Sequence, residues 1–161
     1  MLFNFLRRTT AAPQGDLAIG AEKLLAQGQF EAARAAFAKE LERSDLSSAL
    51  RSHLWNRRGV CAARAGDPQA ARRDFLEALT QNEQSVAALT NLGNLELEAG
   101  DLDAAVALYE RALRIDDQFA SAHHHLGVAY RRMGRLRESV RELRRAWWLE
   151  VSPLKRPSKT L

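Results

Sequence analysis

Three consecutive histidines, His123, His124 and His125, are the first residues of this chain whose type suggests chemistry, because imidazole is a common ligand of metal ions. Neighbouring residues on a helix point about 100° apart, so three in a row cannot converge on one ion. The sequence contains no nucleophile paired with a base, no phosphate-binding glycine loop, no pair of catalytic carboxylates and no metal-ligand spacing. We therefore expect neither an enzyme nor a bound metal or cofactor.

The basic residues are concentrated toward the end of the chain. From Arg131 onward there are ten Lys or Arg and three Glu, whereas residues 1–130 carry 14 basic and 17 acidic residues. Such a basic surface is either simply solvated or binds an acidic peptide, an anionic lipid headgroup or nucleic acid. Nucleic acid is the least favoured partner, because no aromatic residues are spaced to stack on bases and the remainder of the chain is acidic.

The segments that must position these side chains recur every 34 residues. Apolar residues within each segment follow the i, i+3, i+4 spacing of a helix, so each segment is predicted to form helices. Four positions repeat at this interval: Gly59, Gly93 and Gly127; Gly66, Gly100 and Gly134; Ala78, Ala112 and Ala146; and Phe75, Tyr109 and Leu143.

The later glycine of each segment, as at Gly66, is predicted to end a first helix. Glycine adopts the left-handed conformation needed there without a steric penalty from Cβ. Asp67 and Asp101 are then expected to cap the N-terminus of a second helix, with Pro68 at its first position, where the missing N–H is harmless.

The earlier glycine, as at Gly59, lies inside the first helix. Glycine there costs about 1 kcal/mol relative to alanine, so its recurrence indicates a packing gain. We expect it to allow close approach of the second helix, through the small residues Ala71, Ala105 and Ser139.

This pattern resembles the tetratricopeptide repeat (TPR) family, whose unit is a helix-turn-helix of about 34 residues. An earlier unit can be read around Ala21, Gly28 and Phe37, followed by a four-residue insertion that we place within residues 44–48. The resemblance covers residues 15–150 and implies an all-α fold, a right-handed α-solenoid of four helix-turn-helix repeats. The expected divisions are an N-terminal apolar and basic segment at 1–15, repeats at about 16–47, 52–85, 86–119 and 120–151, and a basic tail at 152–161.

In this family the first helices of successive repeats line a concave groove that holds a peptide. The amides there would bond a peptide backbone and the arginines would favour an acidic peptide. The spacing of Asn56, Val60 and Arg64 places them on one helix face independently of the resemblance; the alternative is a merely exposed polar face. By position, the expected partner-binding residues of the groove are Asn56, Arg57, Arg64, Asn91, Asn94, His124, His125, Arg131 and Arg132.

Two narrower expectations concern the same helices. The carboxylate clamp with which some TPR proteins hold chaperone C-termini is poorly matched, since only Asn91 stands at one of its positions. His123 occupies the place that the family usually gives to tryptophan, so we expect it to pack inward and leave His124 and His125 toward the groove.

The resemblance also implies an uncapped C-terminal end. Family members commonly add a solvating helix after the last repeat, whereas here Pro153 and Pro157 interrupt a short basic tail. We expect at least one of Trp147 and Trp148 to be exposed and this end to dock on a second copy or on a larger assembly. The alternative is that Trp147 fills the core and the returning tail covers Trp148.

The N-terminus and the single cysteine bear on location. Residues 1–8 are apolar and then dibasic, the reverse of a secretory signal, and are either a frayed tail or a weak anchor to a membrane surface or a partner. Cys61 falls beside predicted core positions, so we expect a buried reduced thiol. No apolar stretch approaches the roughly 18 residues that span a bilayer, and a cytoplasmic protein is expected.

The repeats and the lack of catalytic patterns predict a non-enzymatic scaffold for protein partners. It would hold a partner in its groove and at its uncapped end. The alternative is a permanent accessory or assembly subunit of a larger complex, which residues 1–8 would allow to be membrane-associated.

Overall fold

The computed structural model describes residues 16–151, which form helices and no strand. Each helix packs chiefly against its neighbours in the chain, and the first helices of adjacent repeats also touch at α3 with α5 and at α5 with α7. The result is an all-α solenoid of helix pairs. The helices are α1 (Asp16–Ala26), α2 (Phe30–Leu41), α3 (Ser48–Arg64), α4 (Pro68–Gln81), α5 (Val86–Ala99), α6 (Leu102–Ile115), α7 (Ala120–Arg132) and α8 (Leu136–Val151).

The turns inside the repeats confirm the predicted helix ends. The turn glycines all have positive φ, with Gly100 at 87°. Residues that have a Cβ rarely adopt this conformation. The carboxylate of Asp67 accepts a hydrogen bond from Ala70 N at 2.9 Å, and α4 begins at Pro68. Asp101 caps α6 in the same way.

Close packing at the inner glycines is confirmed, but the side chains that meet them are not the small ones that we expected. A Cβ built on Gly59 would lie 2.6 Å from the ring of Phe75, and one on Gly93 would lie 2.6 Å from Tyr109. Side chains on a helix lean toward its N-terminus. On the second helix, the large residue one turn after the small one, such as Phe75 after Ala71, therefore covers the glycine. Ala71 and its counterparts Ala105 and Ser139 are buried but are not the nearest contacts.

The extra residues between the first two repeats lengthen a helix as well as a loop. Helix α3 has 17 residues, whereas α5 has 14 and α7 has 13, and it begins at Ser48, four residues before the predicted start of this repeat. Ser47 caps α3, and the Arg51 guanidinium donates to the carbonyl oxygens of Leu41 and Arg43. These bonds hold the longer loop against the start of α3.

Cys61 is fully buried, as predicted, and burial raises the pKa of its thiol to about 11. No helix within residues 16–151 is long and apolar enough to cross a membrane. The predictions for residues 1–8 and for the tail at 152–161 lie outside the described residues.

Candidate partner-binding surfaces

Polar contacts join the first helices of neighbouring repeats at all three junctions. Each contact joins residues 35 positions apart, and together they involve four of the residues predicted to bind a partner. Arg57 forms a bidentate ion pair with Glu22. Asn91 Nδ2 donates to Asn56 Oδ1 at 2.9 Å, and Arg132 donates to the carbonyl oxygen of Leu97 at 2.7 Å.

Asn56 does not lie at the surface, contrary to its expected role in contacting a partner. Only 6% of it is exposed, and a buried amide needs a partner inside the protein. That partner is Asn91, so Asn56 positions the Asn91 side chain from below. Arg57 is likewise neutralised by Glu22, which leaves it less available to an acidic ligand.

A pocket of about 240 Å³ opens between α3 and α5, on the side that was predicted to form the groove. It brings together three of the predicted site residues, Arg64, Asn91 and Asn94, and adds Glu98. Apolar side chains complete the wall. The full lining is Val60, Ala63, Arg64, Phe75, Asn91, Asn94, Leu95 and Glu98.

The two asparagines of this pocket are oriented by bonds inside the protein. The Tyr109 hydroxyl donates to Asn94 Oδ1 at 2.8 Å, and burial raises the pKa of Tyr109, which keeps it protonated as a donor. Asn91 gives its Nδ2 to Asn56. Asn94 Nδ2 and Asn91 Oδ1 therefore have no hydrogen-bond partner within residues 16–151, and they offer one donor group and one acceptor in the pocket.

The remaining predicted groove residues lie on α7. Arg131 and His124 are exposed, whereas His125 is half-buried and stacks on Tyr109 with ring centroids 6.0 Å apart. Burial, and then the neighbouring His124, lower the pKa of His125. The part of the chain that the structure describes holds no group of three side chains that could bind a metal ion.

His123 packs inward, as expected. Its Nδ1 lies 2.8 Å from Glu142 Oε2 and its Nε2 lies 3.0 Å from the carbonyl oxygen of Asp117. The other oxygen of Glu142 accepts a hydrogen bond from Arg141 at 2.8 Å. His123 thus ties α7 to α8 and is not available to a partner.

A second pocket, of about 520 Å³, lies on α8. Trp147 is 60% exposed and Trp148 is 45% exposed, which confirms the prediction that at least one indole is uncovered among the described residues. The Arg145 guanidinium lies 5.3 Å from the ring of Trp148. The pocket is lined by Arg137, Val140, Arg141, Arg144, Arg145 and Trp148.

These repeats, turns and packed glycines define a class of protein that family models also identify. A model described as a tetratricopeptide repeat matches residues 20–85, and one described as a TPR repeat matches residues 93–134. The chain belongs to the TPR family, whose repeats are generally protein-interaction modules without catalytic activity. No curated protein matches the sequence significantly.

Solved structures share the fold. The crystal structure of MamA has a TM-score of 0.69 and 22% identity, with 83% of this chain and 76% of that chain covered. YrrB, a TPR protein with an unusual peptide-binding site, has a TM-score of 0.66 and 18% identity, covering 85% and 69%. The first TPR of Spaghetti (RPAP3), bound to the HSP90 peptide SRMEEVD, has a TM-score of 0.65 and 19% identity, covering 73% and 90%.

Proposed function

We propose that this protein is a non-enzymatic scaffold that holds an extended segment of a partner protein in the pocket between α3 and α5. The observation that carries the proposal is the pairing of a free amide donor on Asn94 with a free amide acceptor on Asn91. A peptide unit offers one N–H and one C=O, so this pair suits the backbone of a bound segment whatever its sequence.

The charges around the pocket favour an acidic segment. Arg64 lines the pocket, and Arg131 is exposed on α7, the first helix of the repeat that follows the pocket. Glu98 is the one carboxylate in the lining. Exposed charge pairs contribute only about 0.2 to 1 kcal/mol each, so several must act together and the affinity should fall with ionic strength.

The structural relatives support peptide binding as a use of this fold. The first and second TPRs of Spaghetti (RPAP3) are bound to the peptide SRMEEVD, which contains two glutamates and an aspartate. Sequence identities of 19% and 16% carry no residue roles to this chain. These two structures support an acidic peptide as the chemical class of the ligand and do not indicate which peptide it is.

The proposal is tested by reversing charge in the groove. The partner is captured from native cells, its binding segment is made as a peptide, and its affinity is compared for the wild type and the Arg64→Glu, Arg131→Glu double variant. We expect the double variant to bind more than tenfold more weakly. Arg73 and Arg114 are exposed on the second helices α4 and α6, so the Arg73→Glu, Arg114→Glu variant is a control with the same change in net charge. Equal affinities in all three proteins, with helicity unchanged, would exclude the groove.

A permanent accessory or assembly subunit of a larger complex, either cytoplasmic or membrane-associated, is the second proposed function, and the exposed indoles on α8 favour it. Capture at low and at high salt separates the two functions. A permanent subunit retains one stoichiometric partner at high salt, whereas a groove-bound acidic peptide is lost.

A further inference from the structure

Helix α8 presents an apolar stripe that none of the described residues covers. Leu136, Val140, Trp147 and Val151 are between 54% and 63% exposed. Their spacing of four, seven and four residues places all of them on one face of the helix. The face packed against α7 is a different one, since it carries the buried residues Ser139, Glu142 and Ala146.

The repeat itself shows what normally covers this stripe. The residues of α6 that stand 34 positions earlier, and so correspond to Leu136, Val140 and Trp147, are Leu102, Val106 and Leu113. These three are half-buried and pack against a core cluster that includes Leu126, Ala129 and Tyr130 of α7. Helix α8 therefore carries, at the same positions, the apolar side chains onto which the next first helix docks in the preceding repeat.

The polar contact at this junction indicates what the docking helix should carry. At the junction of α6 and α7, the Tyr130 hydroxyl donates to Glu110 Oε1 at 2.9 Å. At the junction of α4 and α5, the position equivalent to Tyr130 is Glu96, which accepts a bidentate bond from Arg72. The equivalent of Arg72 on α8 is Val140, whereas the equivalent of Glu110, one turn later, is Arg144. A carboxylate on the docking helix that reaches as far as Tyr130 does at the junction of α6 and α7 would therefore meet the Arg144 guanidinium.

The charge of the surface also favours an acidic occupant. Arg137, Arg144 and Arg145 make no ion pair with any side chain in 18–151, and within that range only Arg141 of this surface is matched by a carboxylate, that of Glu142. The segments of this chain outside the described residues do not complement these arginines. Residues 152–161 contain Lys155, Arg156 and Lys159 and no acidic residue, and residues 1–15 contain two arginines and no acidic residue. A second copy of the same face would oppose arginine to arginine.

We propose that α8 binds an acidic amphipathic helix of a partner protein, which packs on Leu136, Val140 and Trp147 as α7 packs on α6 and directs carboxylates toward Arg137 and Arg144. Tryptophan and arginine are the residue types that most often dominate binding energy at interfaces. The surface is separate from the pocket between α3 and α5, so the inference does not depend on the function proposed for that pocket.

The probe for this site is a synthetic peptide of residues 86–119, the repeat of this chain that has seven acidic and two basic residues and includes Glu96. Binding of the labelled peptide to the full chain is followed by fluorescence anisotropy. The exposure of Trp147 is followed by acrylamide quenching in a chain in which Trp55 and Trp148 are replaced by phenylalanine, so that Trp147 is its single tryptophan. We expect binding that weakens with salt and shields an indole. Val140→Asp and Arg144→Glu should each reduce the affinity by about tenfold, because one buries an unpaired charge and the other reverses an ion pair. Arg114→Glu, on α6, is the matched control and should bind as the wild type does.

A charge exchange separates specific docking from general attraction between opposite charges. The Glu96→Lys peptide should bind the wild type weakly and should regain affinity for the Arg144→Glu chain. Because a single repeat is only marginally folded alone, a second measurement uses a chain in which a copy of residues 86–119 follows Pro153. We expect Trp147 to be shielded in that chain and exposed again after Val140→Asp.

Four results would overturn the proposal. The first is an unchanged exposure of Trp147 in both the peptide titration and the extended chain. The second is a dimer by light scattering in which Trp147 is already shielded, which would assign the face to a second copy. The third is an increase in Trp147 exposure when residues 152–161 are deleted, which would assign it to the tail. The fourth is binding of phosphatidylserine vesicles or of an oligonucleotide that is lost in both Val140→Asp and Arg144→Glu, while the peptide does not bind.

Discussion

Asn91 Nδ2 donates a hydrogen bond to Asn56 Oδ1 at 2.9 Å, which joins the first helices of the second and third repeats. Because Asn56 is buried and Asn91 lines the pocket, the contact connects the interior of the solenoid to its binding surface. The orientation that exposes Asn91 Oδ1 to a ligand is therefore set by a bond between repeats. We expect changes at Asn56 to affect both the stability of the junction and the pocket.

Replacing Asn56 by alanine should reduce the free energy of unfolding by about 1 kcal/mol, because the Asn91 amide loses an intramolecular partner. Urea unfolding followed by circular dichroism measures the change. Gln69 is exposed at the start of α4, so Gln69→Ala is the control and should remain within about 0.5 kcal/mol of the wild type. A stability of Asn56→Ala equal to that of the control would show that the hydrogen bond contributes nothing at this junction.

Replacing Gly93 by alanine should destabilise the protein, although alanine favours a helix. The new Cβ would lie 2.6 Å from the ring of Tyr109, and overpacking of this kind costs about 1 to 3 kcal/mol, against a gain in helix propensity of about 1 kcal/mol. Gly20 is the internal control, since a Cβ there would meet nothing within 4 Å inside α1. Gly20→Ala should therefore be stabilising, and thermal unfolding should show shifts of opposite sign for the two variants.

The structural roles of the residues that recur in each repeat could be predicted from the sequence. The roles of the residues that join one repeat to the next could not. Glycine turns and aspartate caps follow from local conformational preference, so Gly100 and Asp101 were predicted correctly. Asn56 looked like a surface residue because periodicity alone does not show that the following helix covers it. The signal was available, since Asn56 and Asn91 are complementary amides 35 residues apart, but it has meaning only once the helices are placed side by side.

The same distinction explains the packing at the inner glycines. The sequence showed that Gly59 needs a close neighbour, but two candidates, Ala71 and Phe75, lie one turn apart on the second helix. The direction in which a helical side chain leans decides between them and favours Phe75. The exposed stripe on α8 was predicted only through its tryptophans, because Leu136 and Val140 stand at positions that are half-buried in the preceding repeat.

Cys61 should react with a thiol reagent only when the protein opens. The thiolate is the reactive form, and burial raises the pKa of Cys61 to about 11, so little thiolate is present near pH 8. The rate of labelling by a disulfide reagent should rise steeply with urea in the range where circular dichroism reports unfolding. The matched control is Cys61→Ala combined with Ala63→Cys, since Ala63 is exposed on the same helix. Native Cys61 that is labelled as fast as Cys at position 63 would contradict the prediction.

His125 should make the solenoid less stable in weak acid. Burial and His124 lower its pKa below the value of 6.5 expected in the unfolded chain, so between the two values the unfolded state binds more protons than the folded state. The free energy of unfolding should then fall as the pH decreases from about 7 through 6.5 and toward the lowered pKa, and the contribution is fully present only above 6.5.

The measurement is urea unfolding at a series of pH values for the wild type and for His125→Asn, chosen because asparagine stands at the equivalent position, Asn91, in the preceding repeat. The slope of unfolding free energy against pH should be shallower in this variant below about pH 6.5. His124→Asn, at the exposed neighbouring position, serves as the control and should change the slope less. If His125→Asn has the slope of the wild type, protonation of His125 does not oppose folding, and its contact with Tyr109 accommodates the charged ring.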